Sequence, residues 1–170
     1  MDLKKIPKNK SVLVSRRADS GDTVLLMREM VRQATKEPAL IEFVRRHPMN
    51  ENQIHHFVYQ TVRFIPDLPK DQVVKSPIAT IRTRTGNCVD MSTLVASLMK
   101  LNKIPGVFRR VMFQGDTMPS HIFVRSNRGK VVDCIQGQNP KGEKTFKHRR
   151  NKIGIYNKEP DYLTKFDTQY

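Results

Sequence analysis

Cys88, His121 and Asp133 follow one another along this 170-residue chain, the first at the front of a patterned helix and the other two on short predicted strands. A free thiol is mostly protonated near neutrality, with a reference pKa of about 8.5. Two features here favour the reactive thiolate. A helix N-terminus supplies partial positive charge and unpaired N–H groups, and a neighbouring imidazole can take the proton and hold it as a cation. A carboxylate that fixes the ring completes a nucleophile, base and orienter, and the chemistry open to such a set is attack on a carbonyl carbon. Each residue alone also has an ordinary structural reading. A cysteine can be a small residue at a helix start, a strand histidine a surface or satisfied residue, and an aspartate before Cys134-Ile135 a turn end. Their order is what joins them.

The elements that must position these groups are readable from periodicity. Met91, Leu94, Val95, Leu98 and Met99 recur at helical spacing on one face. Three positions before Met91 lies Cys88, so the thiol belongs at the helix start on the side facing the interior. Ile104-Pro105-Gly106 stops the helix. Residues 107–113, 120–126 and 130–135 read as strands, the last two joined by Asn127-Arg128-Gly129 as a hairpin turn. Side chains alternate along a strand, so His121 and Phe123 share one face. Asp133 shares a face with Val131 and Ile135, which turns Cys134 away as an inert core thiol. His121 and Asp133 become cross-strand or diagonal neighbours.

Upstream, Asp22 or Thr23 caps a helix carrying Val24, Met27, Val31 and Ala34. Pro38 opens a second, with Leu40, Ile41, Phe43 and Val44. Asn50 caps a third, with Ile54, Phe57, Val58 and Val62. Residues 68–86 read as a loop-rich connection. His55 and His56 fall on the third helix with no function assigned. Asp90 suits the helix dipole and free N–H groups. Arg82 and Arg84, on the approach to Cys88, are candidates for selecting an acidic substrate or partner, and Arg109 and Arg110 read as a solvated strand edge.

Composition bounds the rest. The length suits a single core, hydrophobic residues are 38% and charged residues 28% of the chain, and the net charge is +15. No apolar run approaches the roughly 18 residues of a membrane helix, and no apolar segment follows the basic start, so no secretory signal is expected. The expectation is a cytoplasmic protein without membrane contact. The positive excess is spread along the chain and suits nucleic acid or an acidic partner. Residues 1–22 read as a basic N-terminal arm, 23–135 as the core and 136–170 as a basic C-terminal extension. With two cysteines and neither Cys-x-x-Cys nor His-x3–5-His spacing, no metal or other cofactor is assigned.

Gly86-Asn87-Cys88-Val89-Asp90, the apolar helix after it and Asn102-Lys103-Ile104-Pro105 resemble the transglutaminase-like cysteine peptidase superfamily. Val62-Arg63-Phe64-Ile65-Pro66-Asp67 and Ser76-Pro77 are similar to its bacterial and phage branch. The resemblance spans about residues 50–135. It implies an α+β, papain-like fold in which N-terminal helices precede a nucleophile helix packed on a small antiparallel sheet. It also implies a Cys88–His121–Asp133 catalytic triad that hydrolyses peptide bonds or transfers the acyl group to an amine, with a protein or peptide substrate. The alternative it leaves open is a catalytically silent module serving as a basic interaction or virion assembly protein. Asn87 stands where members often carry aspartate, and Cys134-Ile135 where proline is common. Beyond the N–H of Cys88, Gln72 and Gln114 are the candidate oxyanion donors.

Overall fold

The computed structural model describes residues 11–15, 20–66, 72–135 and 163–170. The chain runs β1 (Ser11–Ser15), α1 (Ser20–Ala34), α2 (Pro38–Arg46), α3 (Glu51–Thr61), β2 (Arg63–Phe64), β3 (Gln72–Lys75), α4 (Pro77–Thr83), β4 (Thr85–Gly86) and α5 (Cys88–Leu101). It continues through β5 (Gly106–Met112), β6 (His121–Ser126), β7 (Val131–Val132) and β8 (Thr164–Gln169). Helices come first and a four-stranded antiparallel sheet, ordered β7-β6-β5-β8, follows. This is the α+β arrangement expected from the sequence. Two small two-stranded pieces, β1 with β3 and β2 with β4, lie outside that sheet.

The core is built around α5. Every residue from Val89 to Met99 is buried, so the helix is enclosed on all sides, where the periodicity had marked one stripe. Leu26, Met27 and Met30 of α1, Ile54 and Val58 of α3, and Phe108, Ile122 and Val124 of the sheet share its cluster. Hydroxyls inside an enclosed helix need partners. Thr93 and Ser97 donate to the carbonyls of Val89 and Thr93, at 2.7 and 2.8 Å. Ser92 donates instead to the Ile122 carbonyl at 3.1 Å, which ties α5 to β6.

The starts of α3 and α4 follow their capping chemistry. Asn50 caps α3 by accepting from the Gln53 N–H, while the Gln53 side chain accepts from the Asn50 N–H, at 3.0 and 2.9 Å. Ser76 accepts from Ala79 N–H at the start of α4, with Pro77 in the first turn. The hairpin between β6 and β7 turns at Gly129, whose φ of +85° is left-handed backbone that glycine adopts freely.

Five sequence expectations change. The first helix begins at Ser20, so Asp22 and Thr23 lie within its first turn and do not cap it. Residues 68–86 hold β3, α4 and β4 in place of a simple loop, although 67–71 lie outside the described residues. These elements run to seven residues at most, too short for periodicity to register. The expected strand over 130–135 contracts to Val131–Val132. Arg109 does not lie on a solvated edge. It is 3% exposed, and its Nε and Nη2 donate to the two carboxylate oxygens of Asp167 at 2.7 Å each. Ile41, counted with the apolar positions of α2, is 41% exposed.

The segments read as basic arms lie mostly outside the described residues. Within them, β1 pairs with β3 and β8 pairs with β5. The Tyr170 hydroxyl donates to the Ile104 carbonyl at 2.9 Å, anchoring the chain beyond β8. Among the described residues, no helix is long and apolar enough to cross a membrane.

Leu94 is fully buried at the centre of α5. Leu94→Ala is expected to lower stability by about 2–5 kcal/mol, read as an earlier urea midpoint with an unchanged slope. A change under about 0.5 kcal/mol, the range of ordinary surface substitutions, would contradict the central place of α5.

Candidate functional site

Cys88 is the first residue of α5 and partly exposed. The residues around it immobilise that helix start. Asn87 accepts the Asp90 N–H at 2.9 Å through its side chain, and the Asp90 carboxylate accepts the Asn87 N–H at 3.1 Å. This reciprocal cap satisfies two N–H groups that would otherwise lack partners. Asp90 also accepts the Lys75 N–H at 2.7 Å, with Lys75 Nζ 3.9 Å away. Gly86 allows the close approach, since a Cβ there would lie 2.8 Å from the Asp90 Cβ. The structural role expected for Asp90 is thus what its hydrogen bonds describe. The Asn87 that departs from the family pattern is the capping residue.

His121 opens β6 and Asp133 follows β7 directly. Val124 pairs with Val132 across the strands, which makes His121 and Asp133 diagonal neighbours. His121 Nε2 donates to Asp133 Oδ2 at 2.7 Å. The other carboxylate oxygen accepts the Ile135 N–H at 3.1 Å. Phe113 and Phe123 flank the ring, with centroids at 6.3 and 5.7 Å. Cys88 lies beside the ring, close enough to help raise its pKa, and lines one cleft with it. With Nε2 engaged by Asp133, Nδ1 is the nitrogen left for the sulfur. Burial alone would lower the pKa of His121. The Asp133 charge and hydrogen bond outweigh that, with help from Cys88, and push it up to about 10.

The three residues singled out in the sequence are therefore brought together. Cys134 is buried, its thiol pushed up by burial and then by the Asp133 charge. A cleft of about 100 Å³ opens beside Cys88 and His121, walled by Val24 of α1 and by Arg110, Met118 and Ile122. Arg110 adds positive charge to this wall, and its guanidinium also lies 5.5 Å from the Phe166 ring centroid. Arg82 and Arg84 are exposed and do not line it. Neither does Gln114, and the Gln72 side chain lies outside the described ones. Among the described residues, no group of three His, Cys, Asp or Glu could hold a metal ion.

Sequence reasoning missed Asn87 as the cap, Lys75 as a partner of Asp90, and His55. Asparagine three positions before aspartate at a helix start is a usable signal for the first. Lys75 and His55 are too far from their partners in sequence to carry one. His55 is 1% exposed, and its Nε2 lies 3.0 Å from the backbone oxygen of Asp133.

No family model and no curated protein matches the chain. Two solved structures are similar to it. A proposed protease from Parabacteroides distasonis is 12% identical with a TM-score of 0.49, over 71% of this chain and 28% of that one. A proposed cysteine protease from Cytophaga hutchinsonii is 13% identical with a TM-score of 0.39, over 94% and 62%. The chain thus spans less than two thirds of either.

The raised pKa of His121 has a consequence for stability. A proton bound more tightly in the folded state stabilises it fully below about pH 6.5, and that stabilisation is lost as pH rises toward about 10. Against His121→Gln, the wild-type advantage in thermal midpoint should be widest near about pH 6 and should close toward about pH 10. An advantage that stays constant across that range would contradict the coupling.

Proposed function

We propose that the chain is a papain-like, transglutaminase-like cysteine peptidase or acyltransferase, with Cys88 as nucleophile, His121 as base and acid, and Asp133 as orienter. The observation that carries this reading is the 2.7 Å contact of His121 Nε2 with Asp133, made on a ring that shares a cleft with a cysteine at a helix N-terminus. The α+β arrangement, with helices first and α5 against the sheet, supports it.

In this reading His121 already holds, on Nδ1, the proton given up by Cys88, and the thiolate sulfur forms a bond to the carbonyl carbon of a peptide or amide. Negative charge develops on the carbonyl oxygen. The N–H of Cys88 at the helix start is the donor available for it. Collapse breaks the C–N bond, and the leaving amine takes the proton from His121. Water, or a second amine, then attacks the thioester while His121 accepts its proton. The carbon–sulfur bond breaks and the sulfur leaves as the thiolate, with that proton kept on His121. Asp133 keeps the ring in the tautomer that presents Nδ1 to sulfur and stabilises the cation between steps. Arg110 places positive charge on the cleft wall, where it favours substrates with an acidic group near the scissile bond.

Iodoacetamide separates this reading from a silent module of the same fold. Near about pH 6, Cys88 is expected to alkylate about a hundredfold faster than an ordinary exposed thiol, because so little of such a thiol is ionised there. His121→Ala should remove most of that advantage, and Cys134 should stay unlabelled until the protein unfolds. Slow labelling of Cys88, unchanged by His121→Ala, would overturn the enzymatic reading.

A further inference from the structure

Asp133 sits just beyond a two-residue strand. The pairing of β6 with β7 ends at Val124 and Val132, so the sheet ladder does not extend to the Asp133 main chain. Orienting an imidazole nevertheless requires a carboxylate whose own backbone is fixed, since a small misplacement of a catalytic group is costly.

The anchor comes from α3, 78 positions earlier in the chain. His55 Nε2 meets the Asp133 carbonyl oxygen at 3.0 Å, and in return the Cys134 thiol points at the His55 carbonyl, Sγ to O 3.9 Å. Both side chains are buried, His55 at 1% and Cys134 at 3% exposure. The His55 ring is further steadied by stacking on Tyr59, at 5.6 Å and 16°. Each oxygen of Asp133 then has its own donor. The carbonyl accepts from His55, Oδ1 from the Ile135 N–H, and Oδ2 from His121.

We infer that His55 is a positioning residue for the proposed reaction, its ring holding the Asp133 main chain where the carboxylate meets His121. This rests on the role proposed above for Cys88 and adds a member to that site. A carbonyl only accepts, so the ring must carry its proton on Nε2. Burial, opposed by Asp133 and aided by the nearby His56, keeps the His55 pKa below its usual value, which suits a neutral ring with one fixed donor. An apolar side chain would fill the same space without reaching the carbonyl.

The test is the pH profile of Cys88 alkylation in the wild type, His55→Leu and His55→Gln. Removing the donor should loosen Asp133, weaken the imidazolium beside the sulfur, and move the acidic limb of the fast-alkylation plateau up by about one pH unit. His55→Gln, whose amide can donate at a similar reach, should restore most of the plateau. Loss of packing alone would lower the thermal midpoint of His55→Leu but leave the limb in place, and superimposable profiles would overturn the inference. A wild type without any plateau would remove the Cys88 reading and this inference with it, whereas failure confined to His55→Leu leaves that reading standing. If His55→Leu does not fold, ring 15N shifts of the wild type decide. A ring neutral and protonated at Nε2 near neutral pH is expected, and a ring that is charged there, or carries its proton on Nδ1, would overturn it.

Discussion

An imidazole and a carboxylate 2.7 Å apart, with side-chain exposures of 9% and 1%, form the contact on which the rest of this site depends. Removing two such groups from water costs several kcal/mol each, and their attraction offsets that only when the geometry is good and the remaining polar atoms find partners. Here the neighbours provide this. Ile135 N–H satisfies the second carboxylate oxygen, Cys88 lies in the same cleft as the ring, and two aromatic rings flank it. Burial and the opposite charge act against each other on His121, and the charge wins.

The pair matters only if the sulfur is held against it, and that duty falls to α5. An exposed helix could slide or fray at its first turn. This one is enclosed along its length, and its start is tied by Asn87, Asp90 and Lys75. The Ser92 hydroxyl, one turn beyond Cys88, bonds the carbonyl of Ile122, the residue next to His121. The helix bearing the thiol and the strand bearing the imidazole are therefore linked beside the site itself. Asp90 and Ser92 thus attach α5 to its neighbours, and its apolar side chains serve the core.

Much of this was legible in the chain. The apolar spacing from Met91 to Met99 located α5, and Cys88 three positions earlier fell at its start. The hairpin around Gly129 put His121 and Asp133 within reach of one another. They meet as diagonal neighbours although β7 ends just before Asp133. What stayed hidden depends on long separation or short length. The β8 partner of β5 lies more than fifty residues away, so Asp167 gave no hint that it would bury Arg109. The seven residues of α4 are too few for a periodic signal. His55 read as one of two adjacent helix histidines, and only the packing of α3 on the chain after β7 distinguishes it from His56.

Titration of the His121 ring, followed by its 15N shifts in the intact protein, tests the central claim most directly. If Asp133 holds the ring charged beside the sulfur, the imidazolium persists well above the usual histidine range, with a midpoint near 10, and Asp133→Ala brings that midpoint down. A ring that loses its proton near about 6.5, as an unperturbed histidine does, and that ignores the loss of Asp133, would contradict the account.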